Sequence, residues 1–462
     1  MAITDDIKSK KNDARCEGWP SYQDVLDNDS KEAPFQLRAE SAPFIGDDGI
    51  PVDHYISEDY FKKEAAKMWP KVWQMACREE EIPNVGDYII YEVVGKSLIV
   101  TRTAPNKFKA LHNVCLHRGR KLVTEDGSQT EFRCPYHGFT WKNNGAIKEI
   151  PCQWDFKHLQ GKRITLPSAK VETWGGFIFI NMDENAKPLK DTLGIMPEHF
   201  DERWRPQDRY ISAHVGKIVP ANWKAVAEAF MESYHVIDTH PQIMPYMGDA
   251  NSQYDIFSDT ITRQITASGI QSPHLGQGAM NEQMILDSMM ATNGRFGDPT
   301  ATLQVPEGQK ARAYMADIAR QANQHQDGHD YSDKSDAEML DALLYNIFPN
   351  LSVWAGYGAN IVYRWRPNGM DVNSGLMEVY QLKLVPKGQP RPAPAEYIFL
   401  EEDQGWDVAL GNLGLVLEQD QSNLPHVQSG MIASETGVVE LGNYQEMRLR
   451  QMHNMIDKYI DA

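Results

Sequence analysis

Cys115-Leu116-His117 and, further on, Cys134-Pro135-Tyr136-His137 decide how this chain reads. Sixteen residues lie between His117 and Cys134. Each half offers one thiol and one imidazole from a short loop, so two such loops facing each other enclose one centre. Gly119 and Gly138 come just after the histidines, where a tight loop needs freedom in φ. Pro135 stiffens the second loop. Spacing alone also suits a structural zinc site of two cysteines and two histidines. In the zinc-finger order, however, both cysteines precede both histidines. Here each half is mixed, as a cluster with two cysteines on one iron and two histidines on the other requires. Cys16, Cys77 and Cys152 have no such partners nearby and read as ordinary thiols.

The surroundings of these loops read as strands. Tyr88-Ile89-Ile90-Tyr91 and Ser97-Leu98-Ile99-Val100 are short apolar runs separated by Gly95-Lys96, and Phe177-Ile178-Phe179-Ile180 is another. A small all-β domain is expected over residues 68–188. It is preceded by an N-terminal segment, 1–67, and Ser57 to Trp73, across that boundary, reads helical. It is followed by an α+β domain, 189–462. In that last part Asn222 caps a helix expected over Trp223 to Tyr234, and Ala279 to Ala291 is a methionine-rich helix. Gln321 to Ala337 reads as a polar surface excursion. Ile361 to Trp365 and Glu378 to Leu384 flank the turn-prone Pro367-Asn368-Gly369 and read as antiparallel neighbours. A closing helix is expected after Asn443, with Glu446 as its capping partner.

A chain of 462 residues with 41% hydrophobic content buries a large core and is long enough for two domains. The formal charge of −18 argues against nucleic acid as a partner. No apolar leader follows Met1, and no run of about 18 apolar residues occurs, so no membrane span is expected. Five cysteines in such a length are no disulfide framework. A reducing, cytoplasmic setting fits them.

A second motif runs from Asn222-Trp223-Lys224 through Glu228, Glu232 and His235 to His240-Pro241. Glu232 and His235 are three apart and share a face of the expected helix. His240 is five beyond His235, about 140° round an undistorted helix. The helix should therefore end between them, and Pro241 biases His240 away from the α region. Two imidazoles from a helix end plus one carboxylate make a facial triad with open positions for Fe(II) chemistry. Paired core histidines are the plainer reading of this motif taken by itself.

The segment Asn113 to Gly119 with Cys134 to Trp141, followed by the Asn222-Trp223-Lys224 motif with its two spaced histidines, resembles the α subunits of ring-hydroxylating Rieske oxygenases. The likeness spans most of the chain in motif order and spacing. It implies a Rieske 2Fe-2S cluster held by Cys115 and Cys134 on one iron and by His117 and His137 on the other. It implies a mononuclear Fe(II) held by His235, His240 and an aspartate in the C-terminal third. Asp403, within Glu401-Glu402-Asp403-Gln404, fits that pattern best, ahead of Asp407 and Glu402, although carboxylates also favour helix starts for their own sake. Glu232, where the family usually has aspartate, is implied to join an iron histidine to a Rieske histidine of the neighbouring subunit. An exposed helix glutamate is the bland alternative.

The resemblance further implies a fold of the α+β class, with the Rieske domain set before a catalytic domain built on a central antiparallel sheet. The implied activity is that of a terminal oxygenase. It takes electrons from a ferredoxin or an NAD(P)H-dependent reductase and uses O2 to hydroxylate an apolar, aromatic or polycyclic substrate. A monooxygenase or demethylase acting on methoxy, N-methyl or quaternary-amine compounds is the alternative. A homotrimer, or an α3β3 assembly with a small β subunit, is implied as well. Phe230, Met231, Ile237, Ile243, Met244, Met247, Met280, Met284, Ile285, Met289, Phe348 and Trp354 are candidate cavity residues, with core packing as their commoner fate.

Overall fold

The computed structural model describes residues 16–292 and 302–462. The polar start, Met1 to Arg15, lies outside them, as does the absence of a leader read there. The apolar runs of the first half pair into a seven-stranded antiparallel sheet. Its spatial order is Gln74–Arg78, Phe177–Asn181, Ser168–Trp174, Lys107–His112, Lys96–Ala104, Asp87–Val93 and Gly127–Ser128. A smaller sheet of Glu131–Arg133, Thr140–Lys142 and Ile147–Glu149 stands beside it. The two cysteine–histidine loops lead out of the strands Lys107–His112 and Glu131–Arg133.

The second half is built on an eight-stranded sheet. Its order is Gln253–Ile256, Ile261–Thr266, Ala342–Ile347, Leu351–Trp354, Ile361–Asn368, Asp371–Leu384, Arg209–Val219 and Tyr397–Leu400. Every pairing is antiparallel except the last. The two long strands meet through the expected turn, with Trp365 opposite Met377. Most residues of both strands are buried, and the exposed ones lie near the ends of Asp371–Leu384. The N-terminal segment joins that packing: Tyr22, Val25 and Leu26 enter the same core as Ile261, Leu343 and Tyr345.

Several helices differ from their sequence expectation. Trp223–Glu228 is one short helix, capped by the Asn222 side chain accepting from Lys224 N. It ends well before Tyr234, and a separate turn, Val236–Thr239, follows. Gly375 explains the closeness of Trp223–Glu228 to the sheet: a Cβ there would stand 2.9 Å from Trp223 Cα. The surface excursion expected at Gln321 to Ala337 is exposed or half-buried over residues 321–330, but it begins as helix and returns to the core at its end. The helix Ala311–Asp327 runs through its first part, and Ser335 and Asp336 are buried, with Asp336 paired to Arg320. Polarity there marks a solvated helix end, with Arg320 just before it tying down Asp336. The closing helix, Met447–Asp461, starts after Glu446, whose carboxylate accepts from Gly442 N. None of the described helices is long and apolar enough to cross a membrane.

Candidate metal centres and the adjoining cavity

The two cysteine loops share one backbone plan. Cys115 N donates to the Arg120 carbonyl at 2.9 Å and Gly119 N to the Cys115 carbonyl at 3.0 Å. Cys134 N donates to the Phe139 carbonyl at 2.8 Å and Gly138 N to the Cys134 carbonyl at 2.9 Å. Gly119 and Gly138 both take φ near the left-handed value, 75° and 78°, which closes each loop. The histidine stands two residues after Cys115 but three after Cys134, so the loops are alike in backbone and offset in ligand.

Both sulfurs are buried and face each other; burial, with the Cys134 sulfur beside it, pushes the Cys115 thiol up. The imidazoles of His117 and His137 lie with ring centres 4.5 Å apart at 74°. His117 stacks on Phe139, and its Nδ1 is buried without a hydrogen-bond partner. An orphaned buried nitrogen is costly unless something binds it. Two thiols and two imidazoles converging in this way fit a cluster with one iron on the cysteine pair and the other on the histidine pair. His137 is exposed.

The second centre forms where the Val236–Thr239 turn meets the long helix Asn412–Ile432. His240 ends the turn with φ −127° and ψ 50°, outside the α region as Pro241 requires. Glu232 and His235 do not share a helix face. They meet on a turn, where Glu232 accepts from His235 Nδ1 at 2.6 Å and from His235 N at 3.0 Å. His240 Nδ1 pairs with Gln419 Oε1 at 2.9 Å. With both Nδ1 atoms engaged, both Nε2 atoms are the ones presented inwards. They point at one carboxylate oxygen: Asp420 Oδ1 is 2.8 Å from His240 Nε2 and 3.4 Å from His235 Nε2.

Asp420, not Asp403, therefore stands with the two histidines. His235, His240 and Asp420 are the group whose ligand atoms all lie within 4.8 Å of one another among the described residues. Asp403, Asp407 and Glu402 are exposed and away from it, around the start of the segment leading to this helix. Asp403 stands in the acidic run Glu401-Glu402-Asp403 before Gln404, and such a run is also what a solvated loop carries. The signal for Asp420 was subtler. Leu417, Asp420, Leu424 and Gln428 share the buried stripe of one helix, so an acid interrupts an apolar face. Burial works against charge at both partners. Even so, Glu232 and Asp420 carry His235 up to about 10, and the two histidines hold Asp420 below the usual carboxylate range. The pocket is thus built to hold positive charge, and two imidazoles with a carboxylate suit Fe(II).

A cavity of about 160 Å³ adjoins this centre. His235, Asp420 and Glu232 line it together with Phe230, Ile243, Met247, Leu344, Trp354, Ile361, Tyr363 and Leu417. Of the residues suggested by sequence, Phe230, Ile243, Met247 and Trp354 are there. Met231 and Phe348 pack against the closing helix instead, Ile285 and Met289 belong to the core, and Met284 is exposed.

The model of the ring hydroxylating alpha subunit (catalytic domain) matches residues 199–462, and that of the Rieske 2Fe-2S domain matches residues 72–168. The chain belongs to the ring hydroxylating alpha subunit family, the Rieske oxygenases, whose catalytic domain holds a mononuclear iron. It is 29% identical to the carnitine monooxygenase oxygenase subunit of Escherichia coli (strain K12) over 42% of this chain and 52% of that protein. It is 33% identical to the large oxygenase component of the naphthalene 1,2-dioxygenase system of Pseudomonas putida over 42% of this chain and 46% of that one. The chain thus spans about half the length of the curated relatives it matches. The same fold occurs in a quaternary ammonium Rieske monooxygenase in complex with L-carnitine, with TM-score 0.59, 18% identity, and 91% and 100% of the two chains covered. It occurs also in a naphthalene 1,2-dioxygenase mutant bound to phenanthrene, with TM-score 0.63, 19% identity, and 91% and 94% covered.

Proposed function

We propose that this chain is the terminal oxygenase component of a system that hydroxylates an apolar aromatic substrate of about one ring. The observation that carries this reading is the shared cavity: the His235–Asp420 centre opens onto walls that are mostly aliphatic and aromatic. Its 160 Å³ is close to the roughly 150 Å³ of an engineered apolar cavity that takes up benzene.

When bound, the cluster supplies electrons received from a ferredoxin or reductase, and the mononuclear iron supplies O2 chemistry. Cys115, Cys134, His117 and His137 hold the first; His235, His240 and Asp420 hold the second. Phe230, Ile243, Leu344 and Ile361 press the substrate against the iron side and exclude water. Glu232 orients His235 through its Nδ1 hydrogen and keeps Nε2 free. It also serves as the contact for His137 of a neighbouring copy, which makes the working enzyme a ring of three, in the cytoplasm, with residues 68–188 and 189–462 as its two domains. A monomer that keeps full activity on dilution, followed by sedimentation, overturns the ring.

A second reading has support in Phe230, Trp354 and Tyr363. Their rings line the same cavity, with Phe230 and Tyr363 centred 4.9 Å apart, and aromatic faces attract quaternary ammonium groups. Against it, no Lys or Arg lines the cavity among the described residues, so a carboxylate on such a substrate finds no cation there. Turnover of toluene and of glycine betaine with a surrogate reductase separates the two. Hydroxylated toluene is expected; oxidation of the betaine with none of the arene overturns the proposal.

A further inference from the structure

Most of the cavity wall is apolar, but Ser233, Gln264 and Thr266 form one polar patch on it. Gln264 and Thr266 are two apart on the strand Ile261–Thr266, so they share a face with Thr262. Against that face, beside Gln264, lies Arg448, fully buried and without an ion pair among the described residues. Its guanidinium reaches Thr262 Oγ1 at 3.2 Å, Gln264 Oε1 at 3.0 Å, the Met231 carbonyl at 2.9 Å, and Asn346 Oδ1.

Arginine has only donors. The end of the Gln264 amide that faces Arg448 must therefore be its oxygen, and the nitrogen is turned away. One N–H of that nitrogen goes to Thr266 Oγ1 at 3.2 Å. Thr266 Oγ1 is also bonded to Ser252 Oγ at 2.6 Å, and Ser252 donates to the Asp249 carbonyl at 2.8 Å. The donor-only guanidinium fixes the orientation of the Gln264 amide, whichever way the hydroxyl hydrogens beyond Thr266 run. The second N–H of Gln264 finds no acceptor among the described residues, and Gln264 lines the cavity that holds His235 and Asp420.

We infer that Gln264 is a specificity-determining residue whose remaining N–H donates to an acceptor oxygen on the substrate's ring substituent. The preferred ligand is then an arene carrying a hydroxyl, methoxy or carbonyl group, ahead of the bare hydrocarbon. The inference deepens the proposed function and rests on the cavity being the substrate site.

Anisole and toluene are the probes, because they differ chiefly in an ether oxygen that only accepts. Their equilibrium binding to the anaerobic holoenzyme is measured by calorimetry. Anisole is expected to bind about tenfold more tightly, the scale of one hydrogen bond to a donor otherwise left unpaired. In Gln264→Glu an oxygen still meets Arg448, but the free N–H is gone, and the anisole-to-toluene ratio should fall towards one. Gln264→Leu should do the same and serves if the first variant folds poorly. A residue that merely supports Arg448 would weaken both ligands alike and leave the ratio unchanged; that result, or a wild-type ratio near one, overturns the inference while leaving the cavity reading intact. If neither probe binds, the cavity reading itself falls.

Discussion

At the loop pair, Cys115, His117, Cys134 and His137 come from one short stretch of chain, and each loop closes on the same two backbone bonds. At the other centre, two histidines from a broken turn meet an aspartate 180 positions further on, on a helix of its own. The first centre is local, so its spacing in sequence is nearly its geometry in space. The second is assembled by packing: the Trp223–Glu228 helix lies against the strand Asp371–Leu384, and the Asn412–Ile432 helix closes over it. Its third member cannot be found by counting residues.

The largest effect expected from this contrast is at the ligands. Cys134→Ala should remove the visible absorbance of the cluster and abolish turnover, by roughly a thousandfold or more, since no other described thiol is placed to replace it. His240→Ala should lose turnover to the same extent yet keep the absorbance. Spectra and activity together check both, and a colourless wild-type protein holding zinc would contradict the account at once.

Glu232→Gln sharpens the comparison, because Glu232 orients a member of the packed centre without belonging to it. Metal should stay bound while turnover slows by roughly 10–100-fold, the usual cost of losing a partner that orients a ligand. Glu232→Asp should restore part of the rate, since the charge returns but the reach is shorter. Single-turnover kinetics read both, and wild-type rates in the amide variant would remove Glu232 from the site.

A smaller effect concerns the buried residues behind the packed centre. Burial pushes Glu228 up to about 8 and pulls His453 down to about 3, and the two side chains are in contact at 2.7 Å. Between about 3 and 6.5 the unfolded chain binds a proton on His453 that the folded chain refuses, so this contribution to stability rises with pH. Between 4.5 and about 8 the folded chain keeps a proton on Glu228 that the unfolded chain has lost, so this contribution falls with pH. The two oppose each other up to 6.5, and above it only the fall remains, at most roughly 1.4 kcal/mol per pH unit. Thermal melts from pH 6.5 to 8 should show that decline in the wild type and a flatter profile in Glu228→Gln. Equal slopes would mean that Glu228 is ionised in the folded protein.

Smallest of all, Asp403→Ala should change stability by no more than about 0.5 kcal/mol and leave metal content alone, as for an exposed side chain outside any network. Loss of iron in this variant would reverse the choice between the two aspartates.

Much of this architecture was legible. The paired strands around Gly95 and around Asn368 showed as apolar runs broken by turn residues. The histidine loops showed as ligand types at fixed offsets. The departure of His240 from the α region was legible from Pro241. What was not legible depends on contact between distant parts. The helix Trp223–Glu228 stops early, before Tyr234, where capping and periodicity gave no stop. Ser335 and Asp336 look solvated in sequence but are buried by an arginine from the preceding helix. Asp420 is an acid on an apolar stripe, and only the histidines opposite reveal why it is there.

The most direct test is the iron content and visible spectrum of Asp420→Ala beside the wild type. The account predicts about three irons per wild-type chain and about two in the variant, with an unchanged cluster spectrum in both. A variant that keeps all its iron and its activity, or one that loses the cluster instead, would contradict the assignment of two separate centres with Asp420 in the second.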